Sequence, residues 1–168
     1  MPDIELKNLD RTDYRIMRKL VEDGRASDVK LGEKLHLSST AVARRRKILE
    51  EAGYITGYSA DLNVKALGYG ILVIVLIELA SQAENVLKSF EKAVLESPSM
   101  QFCSFVSGDT DFLMILNVHS FEDYDTIYRT ELSALPHVAR IRSSFVMRQV
   151  ATRRVAPIVL GGFGPSGA

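Results

Sequence analysis

Two rhythms of apolar and polar residues divide the chain. From residue 9 to residue 53 apolar side chains recur every three or four positions, the period of helices with one buried side. Ile16, Met17, Leu20 and Val21 form the first such stripe. Asp10 stands where an N-cap belongs, Asp13 can complete a capping box, and Leu9 with Tyr14 can close a hydrophobic staple. Gly24 ends that helix. Ser27 caps a second, whose inward side is Val29, Leu31 and Leu35. His36 and Leu37 make a tight turn, and Ser38 caps a third helix. Its inward side is predicted to be Ala41, Val42, Ile48, Leu49 and Ala52, and Gly53 suits its left-handed C′ position.

After Gly53 the period changes. Tyr54 to Leu62 is rich in aromatic and β-branched residues and predicts an extended strand. Asn63 to Gly70, with two glycines, predicts a joint. Strands are then predicted over Ile71–Leu79, Met100–Val106, Phe112–Val118 and Val138–Val150, with helices between Ala83 and Val94 and between Phe121 and Leu135. The order βαββαβ is the ferredoxin-like split pattern, with both helices on one face of the sheet. The predicted fold class is therefore α+β, a helix-turn-helix domain over residues 1–62 followed by a ferredoxin-like domain over 63–156. The composition of GGFGPSGA predicts a flexible tail over 157–168. Ile71–Ile77 is apolar at every position, so both faces of that strand want cover. The helices supply one cover, and a second copy of the sheet is the simplest other, which predicts a homodimer.

Charge changes the picture locally. The 168 residues carry no net charge, so nucleic-acid affinity cannot come from bulk charge. Yet Lys34, Arg44, Arg45, Arg46 and Lys47 fall in a stretch with no Asp or Glu. Two short helices joined by a tight turn, the second small and polar at its start and basic further on, match a helix-turn-helix reading head for double-stranded DNA. Its outward set is Ser38, Ser39, Thr40, Ala43, Arg44 and Lys47: small residues allow close approach to base edges, and the cations reach bases or phosphates. A solvated basic face on an ordinary helical hairpin would look the same from this stretch alone. Arg45 falls inside the apolar stripe and Arg46 at its edge, positions that suit a structural ion pair as well as DNA. A single cysteine, Cys103, leaves no internal disulfide and, with a polar N-terminus lacking a signal-peptide pattern, points to the cytoplasm. The longest apolar run is far too short to span a membrane.

Taken together, LDRTDYRIMRKLVEDGRAS, LGEKLHLSSTAVARRRKILEEAGYITGY and VSGDTDFLMILNV resemble the Lrp/AsnC family of leucine-responsive, feast/famine regulators, over about Leu9 to Val155. The resemblance implies a winged-type helix-turn-helix, an amino-acid-sensing βαββαβ domain, dimers that assemble further, typically into octamers, and no cofactor. It places the small-molecule effector, an amino acid or a relative of one, at the Gly-Asp-x-Asp loop, here Gly108, Asp109, Thr110 and Asp111, with Ser143 at a further position near the ligand. The chemistry suits it: Gly108 admits a ligand to the backbone, turn N–H groups suit a carboxylate, and Asp111 suits either the ammonium contact or holding the loop. Without the resemblance GDTD would read as a hairpin turn only. Two departures stand out. His36 replaces the usual Gly, and Arg46 and Ile48 exchange the usual apolar and basic positions, which predicts a slightly rotated inward face.

Other functions fit the same architecture. Siroheme decarboxylases resemble Lrp-type chains and rely on His and Arg in the sensing half. Here His36, His119 and His137 show no nucleophile–base pairing or metal spacing, so no catalytic or metal-binding residue is assigned. An assembly module with a vestigial reading head is the other alternative, and Arg44 and Lys47 argue against it.

Overall fold

The structure, a computed structural model, describes residues 9–161. The chain forms two compact units, one of Met1–Asp61 with Ala151–Ala168 and one of Leu62–Val150.

The first unit contains α1 (Arg11–Glu22), α2 (Asp28–Leu35) and α3 (Ser39–Glu51). Local signals place all three. The Asp10 carboxylate accepts from the Thr12 and Asp13 N–H groups at 2.7 and 2.9 Å, and the Asp13 carboxylate accepts from the Asp10 N–H at 3.0 Å. That is the expected capping box. Ser27 caps α2 through the Lys30 N–H and Ser38 caps α3 through the Ala41 N–H, each at 3.2 Å. His36 holds the turn at φ 57° and ψ 49°, and Gly53 follows α3 at φ 75°. The core is Ile16, Met17, Leu20, Leu31, Leu35, Val42 and Leu49, with Leu9 and Tyr14 packed at its margin.

Several expectations fail here. Val21, Val29 and Ile48 are exposed rather than inward. The helical period explains two of them: Val29 is two residues from Leu31, and Ile48 is six from Val42, and both spacings turn a side chain off the buried face. Tyr54–Leu62 forms no strand. A strand requires a partner, and none among the described residues of this unit offers one. The segment predicted as tail from residue 157 begins instead with a 3-10 turn, Pro157–Leu160. Leu160 is buried in the helical core, and its carbonyl accepts from Arg18 Nη2 at 2.9 Å. Residues 162–168 lie outside the described residues.

The second unit is a four-stranded antiparallel sheet of β1 (Ile71–Leu79), β2 (Met100–Phe105), β3 (Phe112–Val118) and β4 (Val138–Phe145), in the order β2-β3-β1-β4. Helices α4 (Glu84–Val94) and α5 (Phe121–Thr130) connect them in the predicted βαββαβ order. Val73, Val75, Ile77, Phe112, Met114 and Leu116 pack against Val86, Phe90 and Ile127 of the helices. β4 stops at Phe145 rather than Val150. β1 begins at Ile71, so the bond from the Val146 N–H to the Leu72 carbonyl is the last rung available. The alternate residues Leu72, Ile74, Leu76, Leu113 and Ile115 line the other face. They are half-buried, with Phe102 of the edge strand 48% exposed beside them. No helix of this unit lies over that face.

Candidate nucleic-acid interface and effector loop

α3 carries four cations in succession, and the structure divides them by position on the helix. Arg45 reaches back to the cap of α1: its Nη1 lies 2.6 Å from the Asp10 carboxylate and 2.8 Å from that of Asp13. Those bonds to both carboxylates raise its affinity for the proton. Arg46 is half-buried, its Nη1 3.3 Å from Asp28 and its Nε 3.1 Å from Glu50. The same Nε donates to the Tyr58 hydroxyl at 2.9 Å, and the guanidinium lies 4.7 Å from the centre of the Tyr58 ring. Tyr58 in turn donates to Glu50 at 2.7 Å. That bond is the main cause holding the Glu50 carboxyl below its usual value, while burial and Glu50 push the Tyr58 hydroxyl upward.

These partners explain the exchange of Arg46 and Ile48. Position 46 is four residues from Val42 and three from Leu49, so it falls at the margin of the buried face, where Arg can lay down its methylenes and keep its charge paired. Ile48 takes the outward place. The helix is not rotated: Val42 and Leu49 remain fully buried, as the stripe predicts. Ser38, Ser39, Thr40, Ala43, Arg44 and Lys47 are all exposed. Lys47 has a loose pair with Glu51 at 3.7 Å, and Arg44 has no hydrogen bond or ion pair among the described residues. The six residues predicted to read DNA therefore share one solvent-facing surface.

Sequence reasoning missed Gly32. An added Cβ there would stand 2.6 Å from the Leu37 carbonyl oxygen, so only glycine lets α2 approach the turn this closely. No local pattern signals that contact, because it forms only once the turn has folded back.

In the second unit Val106 to Asp111 joins β2 and β3. Gly108 sits at φ 121° with open space where a Cβ would be, and Asp109 is exposed. Asp111 differs. It is buried; one carboxylate oxygen accepts from the Leu79 N–H at 2.7 Å and the other from the Gln82 amide at 2.8 Å. Its own N–H donates to the Ile77 carbonyl at 2.9 Å. Asp111 thus braces the loop to the end of β1 and to the approach to α4. Ser143 pairs with Val75 in register and shares a hydrogen bond with the Tyr124 hydroxyl, on the helix-covered side. Within one chain it is two to four register positions from the loop's contacts at Ile77 and Leu79, roughly 7–13 Å along the strand. The loop residues therefore gather at one point and Ser143 stands apart from them.

All three histidines are exposed, two at turns and one against an aromatic ring. His36 and His137 occupy left-handed turn positions, and the His119 ring lies 3.6 Å from that of Tyr69. No group of three His, Cys, Asp or Glu among the described residues could hold a metal ion. No described helix is long and apolar enough to cross a membrane.

Comparison with known proteins bears on both units. The family model described as AsnC-type helix-turn-helix domain matches residues 9–50, and that of the Lrp/AsnC ligand binding domain matches residues 72–156. The Bkd operon transcriptional regulator of Pseudomonas aeruginosa is 34% identical over 153 residues, which span 91% of this chain and 100% of the relative. The leucine-responsive regulatory protein of Escherichia coli is 38% identical over 144 residues, 86% of this chain and 88% of its own. Among solved structures, a transcriptional regulator of Neisseria meningitidis in complex with L-Met superposes with a TM-score of 0.85 at 27% identity, covering 90% of this chain and 97% of that one. An AsnC family transcriptional regulator from Agrobacterium tumefaciens gives 0.84 at 30% identity, covering 90% and 98%.

Proposed function

This chain belongs to the Lrp/AsnC family and is thus a DNA-binding transcriptional regulator rather than an enzyme; we propose that it acts as a homodimer whose two α3 helices enter successive major grooves, under control of an amino acid at the Gly108–Asp111 loop. One observation carries the DNA half of this reading. Arg45 and Arg46 are consumed by internal ion pairs, which leaves Arg44 and Lys47 outward beside the small residues Ser38, Ser39, Thr40 and Ala43. Small residues let the helix settle on base edges, while Arg and Lys reach further to bases or phosphates. A two-fold dimer then expects half-sites about 10 bp apart or a multiple of it. Fluorescence anisotropy on the chain's own upstream DNA tests this. Arg44→Ala and Lys47→Ala, acting in both protomers, each weaken binding by about 1–3 kcal/mol per half-site where they contact a base, or flatten the salt dependence by about 1.8 units of slope where they contact a phosphate. If both variants match the parent across a salt series, the reading face is misassigned.

For the effector, an α-amino acid presents an ammonium and a carboxylate. The buried Asp111 is already engaged as a brace, so we assign the ammonium contact to the exposed Asp109 and the carboxylate to N–H groups of the turn at Gly108 and Thr110. The E. coli relative is named leucine-responsive and the Neisseria structure holds L-Met. Apolar amino acids are therefore the first to test, by thermal shift. Ligand at 100 times its Kd stabilises the native state by about 2.7 kcal/mol. Asp109→Ala abolishes the shift while leaving effector-free DNA binding intact; an unchanged shift places the ligand elsewhere. Assembly of dimers into larger forms such as an octamer belongs to the same proposal, and light scattering with and without the amino acid reads it.

A further inference from the structure

The zero net charge of the chain hides a separation. By sequence, the unit that carries the reading helix has fourteen Lys/Arg against eleven Asp/Glu, and the sheet unit has seven against ten. The reading unit's surplus is three charges. Two of them, Arg153 and Arg154, belong to the returning C-terminal segment, which has no acidic residue at all.

The segment after α3 needs that charge. From Ile48 to Val64 there is no Lys or Arg, while Glu50, Glu51 and Asp61 are acidic. A duplex carries phosphates on both sides of the groove that a reading helix enters, so an acidic flank beside α3 would oppose binding. The C-terminal return changes this flank. Arg154 bonds the Asp61 carboxylate, from Nε at 2.9 Å and again from Nη2, and also donates to the Ser59 hydroxyl. Asp61 is thereby paired with a cation. Tyr58, next to Ser59, is held against α3 by Arg46 and Glu50, so the clamp sits beside the last turns of the reading helix. Leu160, buried in the helical core, fixes the other end of the segment. Val155, between these two anchors, packs against the same core. Arg153, immediately before the Arg154 anchor, is exposed and has no hydrogen bond or ion pair among the described residues.

We infer that the Ala151–Leu160 segment is a phosphate-gripping arm of the DNA-reading unit, in which Arg154 and Leu160 hold the arm and Arg153 makes a sequence-independent contact with the duplex backbone. This rests on the DNA reading proposed above, and the two are separated by their readouts. A phosphate contact contributes to affinity on every duplex and to the salt slope, whereas α3 sets the preference for one sequence. The full-length dimer is titrated over a salt series with its own upstream duplex and with an unrelated duplex of equal length. Each phosphate contact contributes about 0.9 to the slope of log Kobs against log salt. Arg153→Ala, acting in both arms, is expected to lower the slope by about 1.8, to weaken both duplexes by the same factor, and to leave their ratio unchanged. Arg153→Lys retains the parent slope. Arg44→Ala, where it contacts a base, lowers the ratio instead. If Arg153→Ala keeps the parent slope and affinities, the arm is refuted while the reading of α3 stands. If the parent fails to prefer its own duplex, the reading of α3 fails, and the Arg153→Ala slope still decides the arm. A parent that binds neither duplex refutes both. Arg153→Ala removes no hydrogen bond or ion pair among the described residues, so an unchanged melting curve separates these outcomes from misfolding.

Discussion

Replacing Gly32 by alanine sets two effects of known sign against each other. In an unconstrained helix the change is favourable, since alanine exceeds glycine by about 0.8–1.0 kcal/mol per residue. Here the new methyl group would stand 2.6 Å from the Leu37 carbonyl oxygen, 3.4 Å from the Ser39 nitrogen and 3.5 Å from the Ser38 carbonyl carbon. All three are backbone atoms of the α2–α3 turn, so no side chain can swing away. Carbon contacts settle near 3.5–4.0 Å, which requires the turn to move by about 1 Å. That movement also strains the bonds by which the His36 and Leu37 N–H groups reach the Gly32 carbonyl.

Overpacking of this kind typically costs about 1–3 kcal/mol, and weakened turn hydrogen bonds add to it. The net expectation is a loss of about 1–2 kcal/mol. For a unit of this size each kcal/mol lowers Tm by about 4–8 °C. Because the displaced turn carries the cap of α3, operator affinity should fall with it. Gly24→Ala is the matched control: its nearest contacts, the Leu20 carbonyl and the Tyr58 ring, are at an ordinary 3.6 Å. It should leave stability equal or slightly higher. Scanning calorimetry with anisotropy on the operator reads both variants. If Gly32→Ala melts with or above the parent and keeps its affinity, helix propensity outweighs the close approach and the turn is looser than described.

Two further expectations concern charge and association. The Tyr58 hydroxyl holds the Glu50 carboxyl below its usual 4.5, so the stability from that carboxylate is present above pH 4.5 and is lost as pH falls through the lower folded value; burial and Glu50 raise Tyr58 above 10.0, so its contribution is lost only as pH rises beyond that. Melting followed against pH should therefore show an acid limb that Glu50→Gln reduces, and an unaltered limb would exclude this cluster as its source. Ile74 lies at the centre of the uncovered sheet face, between Ile115 and Ser144. Ile74→Glu should convert a dimer to monomers in light scattering, since burying an unpaired carboxylate at a two-fold contact is strongly opposed, whereas a persistent dimer would place association elsewhere.

What could be read from the sequence was local, and what escaped it was long-range. Caps at Asp10, Ser27 and Ser38 act within three residues, and the left-handed His36 ends α2 within the same short turn. The sheet order followed from the alternation of strands and helices. Tyr54–Leu62 has strand composition but no neighbouring edge, and Val146–Val150 runs past the start of the strand it would pair with. Composition reports what a segment favours, and pairing depends on what lies beside it. The docking of Leu160 and Val155 on the helical core, across about a hundred residues or more of sequence, has no period to reveal it. Of the candidate sites, the outward face of α3 was legible because helical phase fixes it. Within GDTD the sequence left Asp111 either the ammonium contact or the loop's brace, and could not choose, since the partners that make it a brace are Leu79 and Gln82, some thirty residues earlier.

That brace bears on how an effector could act at a distance. Asp111 ties the loop to the Ile77 carbonyl and the Leu79 N–H, at the end of β1. The alternate residues of the same strand, Leu72, Ile74 and Leu76, line the face on which the proposed dimer closes. A ligand at Gly108–Thr110 therefore works against a loop that cannot move independently of β1, and β1 presents the face that sets the fit between protomers. Regulation follows only if the amino acid binds one arrangement of protomers better than another, since equal affinity shifts nothing however tight it is. A preference of about 1–3 kcal/mol would change operator affinity by roughly 5- to 150-fold. On this account Asp111 transmits the signal and Asp109 receives it, so a chain lacking Asp109 loses the ligand, whereas one lacking Asp111 leaves the Leu79 N–H unpaired and loosens the sheet end itself, at about 1–3 kcal/mol.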